Sequence, residues 1–406
     1  MTLAPVKHVS LFEEIPAAPP DPIIGLTEMF DADTRSGRVN LGVGVYQSEE
    51  GKVPMLAAVK EAERRLQARN ESGGYLPITG LPAFTAQAQS LLVGSDAGEK
   101  QRLAGAQAVG GTGALRVGAD FLQRFFPGAT VWLSDPSWEN HKTLFEAAGF
   151  PVRSYPYYNP QTHGLEFDAM LAALSSISAG DIVLLHACCH NPTGVDLDEE
   201  QWRQVAETLT KRGAVAFLDF AYQGLGDGIY EDARAIRVLL KTGAPFLVAQ
   251  SFSKSFSLYR ERVGCLTVAA GSESEAKRVA GQLKRVIRAN YSSPPSYGGR
   301  LVATVLSDDE LRACWENELA AMRNRIKRMR ESLVRGLAEA GAKEDFSFII
   351  RQKGMFSYSG LKPEAVTRLR EDYGIYIVGS GRICVAALNE RNIEAVCRAI
   401  AGVLSS

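Results

Sequence analysis

The residues best able to do chemistry stand where apolar runs end. Lys254 lies in SFSKSFSLYRERVG, directly after APFLVAQ. Asp219 and Tyr222 lie in DFAYQG after VAFL, Asn191 in HNPTG after VLLHACC, and Trp138 with His141 in DPSWENH after VWLS. A lysine in a cramped, partly dry site can lose its proton, and a neutral amine can attack a carbonyl. Singly, each residue has an ordinary reading. Lys254 could be a solvated loop lysine, Asp219 a helix cap, Trp138 core, and HNPTG a turn. GGTG (110–113), ahead of the helical pattern ALRVGADFLQRF, falls short of a dinucleotide fingerprint, although free N–H groups at a helix start attract phosphate.

Together these residues suit one ligand. A phosphorylated pyridine aldehyde needs a lysine to bond it, a carboxylate for the ring nitrogen, donors for the ring oxygen, a flat side chain to stack upon and a phosphate cradle. That ligand is pyridoxal phosphate.

The runs ATVWLSD (129–135), DIVLLHA (181–187), GAVAFLDF (213–220), APFLVAQ (244–250) and VGCLTVAA (263–270) read as buried strands. Amphipathic segments lie between several of them, such as LDEEQWRQVAETLTKRG with Leu197, Trp202, Val205 and Leu209 on one stripe. The alternation predicts an α/β fold, a mainly parallel sheet sandwiched by helices, with its site at the carboxyl ends of the strands. A long helical pattern spans 308–341, and the shorter runs after it suggest a smaller α+β domain. The expected division is an N-terminal arm with part of the small domain (1–50), a large cofactor-binding domain (51–325) and a small C-terminal domain (326–406). IPAAPPDPIIGL (15–26) is too proline-rich for regular structure.

The chain has 406 residues, 46% hydrophobic, with a net charge of -1, so it carries no electrostatic footprint for nucleic acid or an anionic membrane. Its apolar runs are too short to span a bilayer, and MTLAPVKHVS lacks a secretory core. Six scattered cysteines predict a reduced, cytoplasmic protein without a structural metal; HACCH (186–190) looks metal-like but reads better as core packing plus a turn.

The motifs GGTGALRV, DPSWENH, CCHNPTG, DFAYQG, SFSKSFSLYRERVG, RANYSSPP and GMFSYSGL resemble those of the aspartate and aromatic amino-acid aminotransferases, pyridoxal-phosphate enzymes of fold type I. The likeness runs through nearly the whole chain. It implies that Lys254 bonds the cofactor and shuttles a proton, Asp219 keeps the ring nitrogen protonated, and Tyr222 and Asn191 bond the ring oxygen. Trp138 would stack on the ring and His141 would orient Asp219. Gly111, Thr112, Ser251, Ser253 and Arg262 would hold the phosphate.

The resemblance further implies that Arg382 grips the substrate's α-carboxylate, with Gly44 over the substrate and Phe356 closing the pocket. Tyr75 and Arg288 would come from the partner of a homodimer, Tyr75 to the phosphate and Arg288 to a second carboxylate. It implies ping-pong transfer to 2-oxoglutarate. Ser293 resembles the aromatic branch, Val45 and Thr112 the aspartate branch, and Gln47 and Val53 neither; the expectation is an aromatic aminotransferase that also accepts aspartate. A β-lyase on the same cofactor would have less reason to keep both arginines, and a non-catalytic descendant would be expected to lose Lys254 or an arginine.

Overall fold

The structure, a computed structural model, describes residues 11–17, 24–69, 73–94 and 97–405. Its central sheet has seven strands: β1 (Leu103–Val109), β2 (Val131–Asp135), β3 (Val152–Pro156), β4 (Ile182–His186), β5 (Val215–Phe220), β6 (Phe246–Ser251) and β7 (Val263–Ala269). Their order is β1-β7-β6-β5-β4-β2-β3, parallel except for β7, which runs antiparallel to both its neighbours. Both faces are buried, and the side-chain alternation shows it. Along β4, Val183 and Leu185 enter one core while Ile182 and Leu184 enter the other; along β5, Leu218 and Phe217 divide the same way.

The five strands expected from apolar runs are present. β1 and β3 were not legible as strands. LAGAQAV is built of small residues, and VRSYP carries exposed polar ones, so neither has the continuous branched apolar run of a buried strand.

The helix Glu199–Arg212 starts at a capping box on Asp198 and stops at left-handed Gly213. The long pattern forms the helix Asp309–Glu339, whose N-terminus is capped by Asp308. Around it lie two short pairings: Val39–Asn40 with Ile375–Tyr376, and Phe356–Tyr358 with Arg382–Cys384. The expectation of no regular structure over 15–26 fails at its end, where Ile24 opens the helix Ile24–Ala32 beyond the prolines. Residues 1–10, which could extend the arm, lie outside the described residues, as do 18–23. Among the described residues no helix is long and apolar enough to cross a membrane.

Candidate active site

Parallel strands deliver their carboxyl ends to one edge of the sheet, and β7, running the other way, starts there. Three chain segments therefore converge: the helix start Gly110–Thr112 after β1, Ser251 to Ser253 at the end of β6, and Arg262 just before β7. Gly110 N–H donates to the Arg262 carbonyl at 2.9 Å, and Arg262 Nη1 reaches Ser253 Oγ at 3.3 Å. A Cβ on Gly111 would stand 2.9 Å from that of Ser251, so the helix start fits only without a side chain. The helix Gly110–Phe125 begins here with no side-chain cap, leaving N–H groups of its first turn for a ligand. With the Ser251 and Ser253 hydroxyls and the Arg262 guanidinium, the edge gathers donors of the kind that can hold a dianion.

Asp219 lies near the end of β5, paired in register with His186 of β4, and is 7% exposed. His141, fully buried, reaches Asp219 Oδ2 through Nε2 at 2.9 Å, with Ser137 Oγ 2.9 Å from Nδ1. A carboxylate can only accept, so Nε2 carries a proton toward Asp219. Burial pulls the Asp219 carboxyl up, but the His141 hydrogen bond and nearby positive charge outweigh it and hold it below the ordinary value. Asp219 is thus an ionised carboxylate inside the protein and not the helix cap it could have been.

Lys254 sits partly buried beyond β6, its Nζ 5.2 Å from the centre of the Tyr222 ring. Burial lowers its pKa to about 8; the Asp219 charge works against this, and Arg262 and Arg382 reinforce it. A neutral amine is therefore accessible near neutral pH. Burial pushes the Tyr222 hydroxyl well above its ordinary value, so it stays a donor. Trp138 packs edge-on against His141, with ring centres 5.1 Å apart.

Arg382, 1% exposed, donates to Asn191 Oδ1 at 3.1 Å and to the Gly42 carbonyl at 2.8 Å, and lies over the Phe356 ring at 4.3 Å. Its Nε is buried without a hydrogen-bond partner among the described residues. A buried guanidinium with an unused N–H and, among the described residues, no carboxylate partner can take a carboxylate from outside. A Cβ on Gly44 would stand 2.8 Å from Phe356 Cζ, and Phe356 meets Tyr222 edge-on at 5.9 Å. Gly44→Ala is expected to push that ring toward Arg382 and raise the amino-acid KM about tenfold, within the cost of overpacking. Steady-state kinetics check this; an unchanged KM would mean the ring has room to move.

Two predicted residues stand apart. Tyr75 is fully exposed, and Arg288, at the end of the helix Glu273–Asn290, is exposed and bonded to Ser292 Oγ. Ser293, in the same loop, is half-buried.

Other contributors carried no local signal. The Trp315 indole bonds the Ser255 carbonyl at 2.7 Å and its ring stacks on Phe256, fixing the loop around Lys254 from the long helix; the helical stripe placed it in core and said nothing of this. The Tyr259 hydroxyl accepts from Tyr46 N–H at 2.9 Å, beside Gly44. His186, held neutral by burial with a pKa lowered to about 3, lies between His141 and His190 behind Asp219. Cys188, Cys189 and Asp232 also cluster. Four backbone N–H groups, from Gly224, Gly226, Asp227 and Gly228, occupy the Asp232 oxygens, and burial raises both thiols, so the donors present suit core structure better than a cation.

The sequence profile of the family Aminotransferase class I and II matches residues 36–400. An aspartate aminotransferase of Pseudomonas aeruginosa is 54% identical over 98% of this chain and 100% of its own. An aromatic-amino-acid aminotransferase of Escherichia coli is 49% identical over 97% and 100%. An aromatic-amino-acid aminotransferase of Burkholderia pseudomallei, solved covalently bound to pyridoxal phosphate, superposes with a TM-score of 0.95 at 56% identity, covering 98% of this chain and 100% of that one. A match of this length, joined to a cleft that pairs a neutral-prone lysine with a buried carboxylate and an unsatisfied arginine, makes the chain a member of the class I and II aminotransferases.

Proposed function

We propose that this aminotransferase uses pyridoxal phosphate to move the amino group of aromatic amino acids, and of aspartate, to 2-oxoglutarate. The observation that carries the reading is Lys254, lowered to about 8 in a cleft where Asp219 and Arg382 also influence it. The residues fit the cofactor. Gly111, Thr112, Ser251, Ser253 and Arg262 would hold its phosphate, Asp219 its ring nitrogen, Tyr222 and Asn191 its ring oxygen, and Trp138 its face. When bound, the cofactor supplies an aldehyde for the amine and a ring that accepts the electrons of a broken Cα–H bond.

The chain's own part is proton transfer and orientation. Lys254 would take the proton from the substrate's Cα and return it on the cofactor side of the amino nitrogen, which needs an amine neutral near working pH. Asp219, fixed by His141, holds a proton at the ring nitrogen. Arg382 pins the α-carboxylate through the unused Nε and its neighbouring N–H, so that the C–H bond and not the carboxyl bond faces Lys254. Phe356 and Gly44 cover the substrate and exclude water.

In this reading the enzyme is a cytoplasmic homodimer whose Tyr75 and Arg288 complete the other subunit's site. Residues 51–325 are its cofactor-binding domain and 326–406 the small covering one, with 1–50 an N-terminal arm that also supplies part of the small domain. Relatives named for both substrates match at similar identity. Ser293 favours the aromatic branch, whereas Val45 and Thr112 favour an aspartate enzyme with little aromatic activity. Purified holoenzyme titrated with phenylalanine or aspartate, without an oxo acid, decides between them. The reading expects phenylalanine to bleach the visible band at lower concentration than aspartate. Bleaching by aspartate alone assigns the second reading, and no band with added cofactor sinks both.

A further inference from the structure

Gln107 takes no part in the site described above. It lies on edge strand β1, three residues before Gly110, and is 1% exposed. Its side-chain amide is used on both sides. Oε1 accepts from Leu81 N–H at 3.0 Å, and Nε2 donates to the Pro295 carbonyl at 2.8 Å. Its backbone repeats the pattern, with N–H donating to Thr79 O at 2.9 Å and the carbonyl accepting from the Tyr291 hydroxyl at 3.3 Å. Both neighbours approach through glycine: a Cβ on Gly80 would stand 2.6 Å from Oε1, and one on Gly299 2.6 Å from Nε2. The segment through Leu81 carries Tyr75, and the loop 291–296 carries Ser292, which bonds Arg288.

We propose that Gln107 is a positioning residue that ties the segments bearing Tyr75 and Arg288 to the strand leading into the phosphate cradle, and so sets the enzyme's grip on a substrate's second carboxylate. This rests on the proposed roles of Tyr75 and Arg288. One amide serves both segments because it offers a donor and an acceptor in a fixed plane, which no other uncharged side chain of that length does.

Gln107→Glu separates the two ties. The carboxylate still accepts from Leu81, but it faces the Pro295 carbonyl without a donor, so only the loop 291–296 is released. The KM for aspartate and for 2-oxoglutarate should rise about tenfold, the scale of one buried hydrogen bond lost and an acceptor left opposed. The KM for phenylalanine should stay within about twofold and cofactor release should be unchanged. Gln107→Met breaks both ties and should add faster cofactor release. Tyr291→Phe, which removes one hydroxyl and keeps the amide, should raise the dicarboxylate KM about threefold and serves if the Gln107 variants do not fold.

A merely structural role would weaken all substrates alike. Equal changes for phenylalanine and aspartate, or none, would overturn the proposal. Arg288→Ala run in parallel separates the two levels. If it spares dicarboxylates, the reading of Arg288 is wrong; if it impairs them selectively while the Gln107 and Tyr291 variants do not, the reading stands and the positioning role falls.

Discussion

Lys254→Ala is expected to lower kcat by about 10⁴-fold, the upper end of what one positioned proton-transfer group supplies, because in the proposed reading the same amine also bonds the cofactor. The variant should keep its fold. The folded pKa of about 8 lies below the ordinary 10.5, so at pH 7 the folded state carries a charged amine it disfavours. Stability linked to this group is lacking below about pH 8 and returns as pH climbs toward 10.5, since the unfolded chain binds the extra proton in that window. Removing the amine relieves the cost, and the Tm of the apoprotein at pH 7 should hold or rise. The same shift predicts that capture of the aldehyde by apoprotein, followed as the appearing visible band, speeds up with pH and levels off above about 8. A residual kcat within tenfold of the unaltered enzyme would show that another group moves the proton.

The second large effect is at Arg382. Arg382→Lys should cut kcat/KM for phenylalanine and aspartate together by about 10²–10³-fold, the 3–4 kcal/mol scale of a buried, hydrogen-bonded charge losing its geometry. The guanidinium reaches Asn191 and Gly42 while still presenting Nε. An ammonium is a point charge on a flexible stem and cannot hold both partners and a planar carboxylate, so the Gly42 carbonyl is left buried and unmet. Steady-state kinetics with both substrates check it. A loss confined to aspartate would mean that Arg382 binds the side-chain carboxylate, reversing the roles given to it and Arg288.

What the sequence by itself determined is which polar residues stand at and beyond the strand ends. Strands buried on both faces are mostly apolar, so polar residues at or just beyond the end of each run mark the sheet edge where a ligand can reach them. Asp219, Lys254, Asn191 and His141 were therefore visible from local pattern, as were the helices Glu199–Arg212 and Asp309–Glu339 from their apolar stripes. Edge strand β1 escaped because alanine and glycine carry no strand signal; its place is set by pairing with β7, more than 150 residues away in the chain.

Only the tertiary structure decided the rest. The sign of the Asp219 shift depends on whether burial or the His141 hydrogen bond prevails, and that balance is a matter of a distance between residues 78 apart. The unused Nε of Arg382, the Trp315 anchor beneath the lysine loop and the double tie of Gln107 are likewise relations between distant segments. A sequence names the groups that can bond; which of them remain unsatisfied, and so await a ligand, is fixed by what packs around them.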